Sequence, residues 1–139
     1  MTGNVAQVFL TDDDLDATLH GIHAALRPGG HLVFESRRPE RRAWLEWAQD
    51  PAGTAAVIDG VGPVTLQREV TAVDLPLVSF RQTYTFADGT QLVSESTLRF
   101  RSQAEIEHRL AEAGFLILDV TDAPDRPGHE FVFIAQKRT

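Results

Sequence analysis

Few side chains in this 139-residue sequence can move a proton, hold a metal or stack on a ligand. There are five histidines and no cysteine, which removes thiolate catalysis, disulfide staples and Cys-ligated zinc or iron–sulfur sites. His20 and His23 stand three apart, a spacing that lets two imidazoles chelate one metal. No third ligand follows at a suitable distance, so they read as a structural or surface pair, and no metal is expected. His129, beside Glu130 in the loop before a strand, is the candidate general base; a plain surface histidine is the other reading. Trp44 and Trp47 either stack on an aromatic ligand or anchor a helix in a core. Phe80, Tyr84 and Phe86 lie on a strand-like stretch, where they floor a ligand pocket or pack against a helix. The only Gly-x-Gly is Gly60-Val61-Gly62. It has no strand before it and no helix after it, and Pro63 comes next, so it reads as a turn and not as a phosphate cradle.

Those residues need a scaffold. With 42% hydrophobic and 24% charged residues the chain has the balance of a single globular domain, 1–139. A net charge of −7 repels a polyanion, and the short basic run Arg37-Arg38, Arg41-Arg42 is broken by Pro39-Glu40, so nucleic acid is not the expected partner. No apolar stretch is long enough to span a bilayer, and Met1-Thr2-Gly3-Asn4 has neither the basic nor the apolar part of a signal peptide. The expected location is the cytoplasm.

Along the chain, a short apolar run at 5–10 leads to Thr11, a helix cap followed by three aspartates at the positive end of the helix dipole. Leu15, Leu19, Ile22 and Leu26 make one apolar stripe, which Arg27-Pro28-Gly29-Gly30 stops before a buried strand at 31–36. Pro39 opens another helix carrying Trp44, Leu45, Trp47 and Ala48, with its end near Asp50-Pro51-Ala52-Gly53. Residues 1–50 thus read as helix, strand, helix. Strand-like segments at 64–73, 77–86 and 90–101 predict a three-stranded antiparallel meander, the last two joined by a two-residue Asp88-Gly89 turn. That turn would pair Tyr84 with Val93, Gln82 with Glu95 and Phe80 with Thr97. In 102–139, Ser102 and Glu105 form a capping box, Ile106, Leu110 and Ala113 the buried face of a helix that Gly114 closes, and 115–120 and 130–136 two closing strands.

In this order the parts resemble class I S-adenosylmethionine-dependent methyltransferases. Leu26-Arg27-Pro28-Gly29-Gly30 followed by His31-Leu32-Val33-Phe34-Glu35 looks like the turn into that family's fifth strand. The capped helix ending Glu112-Ala113-Gly114-Phe115 resembles its last helix, and the two strands after it the closing antiparallel pair. Thr2-Gly3-Asn4-Val5-Ala6-Gln7-Val8-Phe9 resembles the exit of the fourth strand, and the meander resembles a substrate-covering insertion. The implied fold is α/β (α+β as an isolated chain): the C-terminal part of a Rossmann-like sheet with an inserted meander. The family's acidic-x-Gly-x-Gly loop and the acid that binds the ribose hydroxyls have no counterpart here. The expected chain is therefore a C-terminal portion, truncated or read from an internal start, that binds S-adenosylmethionine weakly or not at all.

The resemblance implies cofactor-side roles for Asn4, Val5, Ala6 and Gln7. Ligands of open α/β sheets sit beyond the carboxyl ends of strands, which puts Glu35 and Arg37 on the substrate side, with ordinary strand-end charges as the alternative. Trp47, Phe80 and Tyr84 join them as candidate acceptor contacts. A small-molecule acceptor is implied, and a non-catalytic ligand-binding or dimerising domain is the alternative function. The unpaired flank of the 31–36 strand predicts a homodimer or swapped oligomer.

Overall fold

The computed structural model describes residues 1–49 and 53–139. They divide into two compact units, Met1–Arg41 with Leu98–Thr139, and Arg42–Thr97.

In the first unit, a 3-10 turn at Val5–Val8 precedes helix α1 (Asp12–Ala25) and strand β1 (His31–Arg37). Thr11 caps α1 as expected, its hydroxyl accepting from Asp14 N at 3.1 Å. After the second unit come helix α3 (Gln103–Glu112) and strands β6 (Phe115–Asp122) and β7 (Glu130–Lys137). Both halves of the capping box are present at Ser102 and Glu105. The three strands form one sheet in the order β1-β7-β6, with β7 antiparallel to both neighbours. Leu32 and Phe34 of β1, Phe133 and Ala135 of β7 and Phe115 of β6 share one core with Leu15 and Leu19 of α1 and Ile106 and Leu110 of α3. Phe34 and Phe133 stack at 5.2 Å between centroids. Each such side chain contributes about 1.5–3 kcal/mol by leaving water, so this cluster is the main source of the unit's stability.

The second unit holds a short helix α2 (Ala43–Trp47) and a sheet in the order β2-β3-β4-β5, made of Thr54–Ile58, Gly62–Asp74, Leu77–Phe86 and Gln91–Arg99, the last of which runs on into the first unit. The three expected strands are present, and β2 adds a fourth at the edge. Its sequence, Thr-Ala-Ala-Val-Ile, is exposed throughout, so it lacks the apolar alternation that announces a strand. The single helix expected from Pro39 onward is instead a 3-10 turn at Pro39–Arg41 and then α2, because Arg42 takes a left-handed φ of 52°. The expected helix end at Asp50-Pro51-Ala52 lies outside the described residues.

The Asp88-Gly89 hairpin is present with a longer loop than expected. Only Gly89 of the pair has positive φ (86°), whereas a two-residue type I′ turn needs it at both positions. The loop is Ala87-Asp88-Gly89, closed by Gly89 N to Phe86 O at 3.0 Å and Phe86 N to Thr90 O at 2.9 Å. One extra loop residue moves the expected partners to the other face. Glu95 meets Arg81 (3.0 Å) where Gln82 was expected, and Thr97 meets Ser79 (2.8 Å) in place of Phe80.

Candidate functional site

The carboxyl end of β1 gathers four of the residues singled out from sequence. Gly3 and Asn4 both adopt left-handed backbone (φ 68° and 57°), which turns the chain start against the strand. Glu35 Oε1 accepts from Gly3 N at 2.6 Å. Gln7 Oε1 accepts from Arg37 Nη1 at 3.0 Å, and Gln7 Nε2 donates to Arg99 O at 3.4 Å. Two of the residues expected on the substrate side therefore hold the chain start: Arg37 bonds Gln7 of the cofactor-side segment, and Glu35 bonds Gly3 just before it. Asn4 Nδ2 donates to Glu130 Oε1 at 3.0 Å, and Glu130, only 2% exposed, also faces Arg126 Nη2 at 3.2 Å. A buried carboxylate requires such partners. Glu130 was visible in sequence only as the neighbour of His129; its burial follows from its place in β7, across from Arg37.

Asn4, Ala6 and Gln7 are buried, and the Gln7 amide is bonded at both ends. Val5 is exposed, and Asn4 Oδ1 is the one side-chain acceptor of the segment that is buried without a partner among the described residues. His129 acts through its backbone, donating to Arg126 O at 3.2 Å and accepting from Arg38 N at 2.9 Å. His20 Nδ1 lies 2.7 Å from Asp16 O, and His23 packs edge-on against Phe115 at 5.3 Å. The basic run is engaged within the unit too: Arg38 lies over the Phe131 ring at 4.4 Å and donates to Glu130 O at 3.1 Å.

The second unit brings together two of the three aromatic candidates. Trp47 and Phe80 meet edge to face at 5.2 Å. Tyr84 lies opposite Leu66 in the β3–β4 ladder, four residues from Phe80 and on the same face. Arg68, which sequence reasoning missed, sits over both Trp47 (5.5 Å) and Phe80 (5.6 Å). It also lines two open cavities of about 440 and 200 Å³. The alternation of β3 carries the signal for it: Arg68 falls between Leu66 and Val70 on the face that would otherwise be apolar.

No family model matches the sequence, and no curated protein matches it. Solved structures do match. A methyltransferase from Clostridium acetobutylicum described as S-adenosylmethionine-dependent superposes on 99% of this chain and 56% of its own, with TM-score 0.70 and 16% identity. The chain shares the fold of S-adenosylmethionine-dependent methyltransferases. CalS10, an amino pentose methyltransferase from Micromonospora echinaspora, gives TM-score 0.68 at 20% identity over 98% of this chain and 56% of that one. The sugar N-methyltransferase KedS8 from Streptoalloteichus gives 0.67 at 17% over 94% and 51%. The chain spans little more than half the length of these methyltransferases, as expected for a C-terminal portion. Among the described residues no helix is long and apolar enough to cross a membrane.

Proposed function

We propose that these residues form the C-terminal portion of an S-adenosylmethionine-dependent methyltransferase acting on a small molecule, and that they do not grip the cofactor alone. The observation that carries this reading is the match of 99% of the chain to 56% of the Clostridium methyltransferase at TM-score 0.70. The descriptions of CalS10 and KedS8 as amino pentose and sugar N-methyltransferases support a small-molecule acceptor. The use of both ends of the Gln7 amide within the fold supports weak cofactor binding. In this reading Asn4, Val5, Ala6 and Gln7 form the cofactor-side wall, which Glu35 and Arg37 hold in place. Trp47, Phe80 and Tyr84 belong to the acceptor side, with His129 the candidate base. A cysteine-free chain suits a reducing compartment, and the cytoplasm is the location proposed.

Calorimetry of the 139-residue chain against S-adenosylmethionine and S-adenosylhomocysteine tests the reading. No micromolar binding is expected from this chain alone. Adding a polypeptide that carries a βαβαβ half with an acidic-x-Gly-x-Gly loop, fused or separate, should restore it. Micromolar binding by the chain alone would overturn the account.

We propose also that the isolated chain pairs with a second copy along the outer edge of β1. Gly30 O accepts from Lys137 N of β7 and Arg38 N donates to His129 O just before it, so the backbone groups of the even-numbered residues between them face inward and those of Val33 and Glu35 face outward. Met1 takes the Val33 oxygen at 2.7 Å, while the amides of Val33 and Glu35 make no hydrogen bond among the described residues. An open row of this kind is a template for another strand.

A further inference from the structure

Two arginines of the second unit's sheet differ in how their charge is met. Arg81 lies between Glu69 at 3.2 Å and Glu95 at 3.0 Å, so carboxylates outnumber it. Among the described residues Arg68 meets no carboxylate. Its contacts are the rings of Trp47 and Phe80, which engage the cation through their π-faces and use none of its N–H donors. Arg68 Nε is buried and has no hydrogen-bond partner, a state that costs free energy until an acceptor arrives.

The surroundings suit an acceptor that comes with a ligand. Arg68 stands at the wall of a cavity of about 440 Å³, within the range of small-molecule sites. Thr83 lines the same cavity and offers a neutral hydrogen-bonding group, and Glu69 there is paired with Arg81. A chain of net charge −7 repels anions in general, so only a local cation can select one. A guanidinium packed against two touching rings is pre-organised to form paired N–H···O bonds with an oxyanion, which a flexible ammonium is not. The cavity is thus open and charged, unlike the closed apolar pocket that a purely hydrophobic ligand would need.

We propose that Arg68 anchors an anionic group, a carboxylate or a phosphate, on the molecule that the meander receives. Trp47 and Phe80 position the guanidinium. This assignment rests on the methyltransferase reading for calling that molecule the methyl acceptor, but the anion site itself stands on the second unit alone.

The test is a titration of the full chain, following the Arg68 Nε–H and Trp47 indole N–H signals by nitrogen–proton NMR. Three probes share one ring: phenyl phosphate, benzoate and neutral benzyl alcohol. Both anions should shift the two signals saturably, with dissociation constants at least about tenfold below that of benzyl alcohol. The tighter of the two identifies the source of the oxyanion. Arg68→Gln should weaken anion binding by about tenfold or more, and Arg68→Lys by less. Unchanged signals elsewhere in each variant's spectrum will confirm that it folds. Equal binding of benzyl alcohol, undiminished anion binding by Arg68→Gln, or no shift with any probe overturns the proposal. None of these titrations contains S-adenosylmethionine, so a failure here leaves the cofactor experiment's result intact, and the reverse holds.

Discussion

Lys137 Nζ donates to the backbone oxygen of His23 at 2.7 Å, across 114 residues of sequence, and to that of Leu26 at 2.8 Å. The end of the last strand therefore caps the C-terminus of the first helix. The last carbonyls of a helix lack internal partners and carry the negative end of its dipole, so an ammonium there answers both needs. Lys137→Met keeps most of the apolar stem and removes the donors. It should lower unfolding stability by about 1–2 kcal/mol, read as a lower urea midpoint at unchanged slope. An unchanged midpoint would mean that water serves those carbonyls equally well.

His23 also constrains the turn between α3 and β6. Gly114 has φ 90°, and a Cβ built there would lie 2.9 Å from His23 Nε2. Gly114→Ala therefore meets two penalties, left-handed backbone at about 1–2 kcal/mol and a steric clash with a ring that Phe115 holds edge-on. The double variant His23→Ala, Gly114→Ala should relieve the clash while keeping the backbone cost. In a double-mutant cycle from chemical denaturation, full additivity of the two changes would rule out the contact.

The capped helices, the 31–36 strand and the closing pair were legible because their signals are local: Thr11, the Ser102–Glu105 box, the apolar stripe of α1, and glycine at the helix ends. Interactions between distant segments were not. Asp12 was read as a dipole partner, yet it also meets Arg99 at 3.2 Å and Arg109 at 2.8 Å, and Arg101 at 3.6 Å. Burial pulls the Arg101 pKa below its ordinary value, with the charge of Arg99 acting the same way and Asp12 opposing. Nothing in the spacing of those residues announces such a cluster. Likewise Glu35 and Arg37 were found by their place at a strand end, but that they grip Gly3 and Gln7 depends on how the chain start folds back. Arg68 was missed because its one signal, a charge among the apolar residues of one face of β3, is not a motif.

The Ala87-Asp88-Gly89 loop gives a pH prediction. Asp88 accepts from Thr90 N at 2.9 Å, and the backbone and then the side-chain hydrogen bonds of Thr90 hold its carboxyl below the usual aspartate range. Because the folded value is depressed, the stabilisation is present above the unfolded pKa of about 3.9 and is lost as pH falls through the folded value. The Thr90 amide resonance should titrate with a midpoint below about 3.9, and Asp88→Asn should abolish that titration. A midpoint at or above the unfolded value would show that the carboxylate does not cap the loop.

The edge of β1 decides whether the isolated chain is monomeric. Val33 points its amide away from β7 and is about half exposed, so proline at this position removes an outward donor while leaving the ladder to β7 intact. The expected mass of the unmodified chain by light scattering is twice 15.4 kDa, falling to a single copy for Val33→Pro. Thermal unfolding at low concentration should differ little between the two, since no bond within the sheet is lost. A monomeric mass for the unmodified chain at high concentration would remove the second copy from the account. A dimer that survives Val33→Pro would move the contact elsewhere, for example to β6, the other edge of the same sheet. If the strand partner is instead a polypeptide carrying the glycine loop, adding it should convert the dimer of identical chains into a mixed complex. Cofactor binding should rise in step, because one edge cannot hold both.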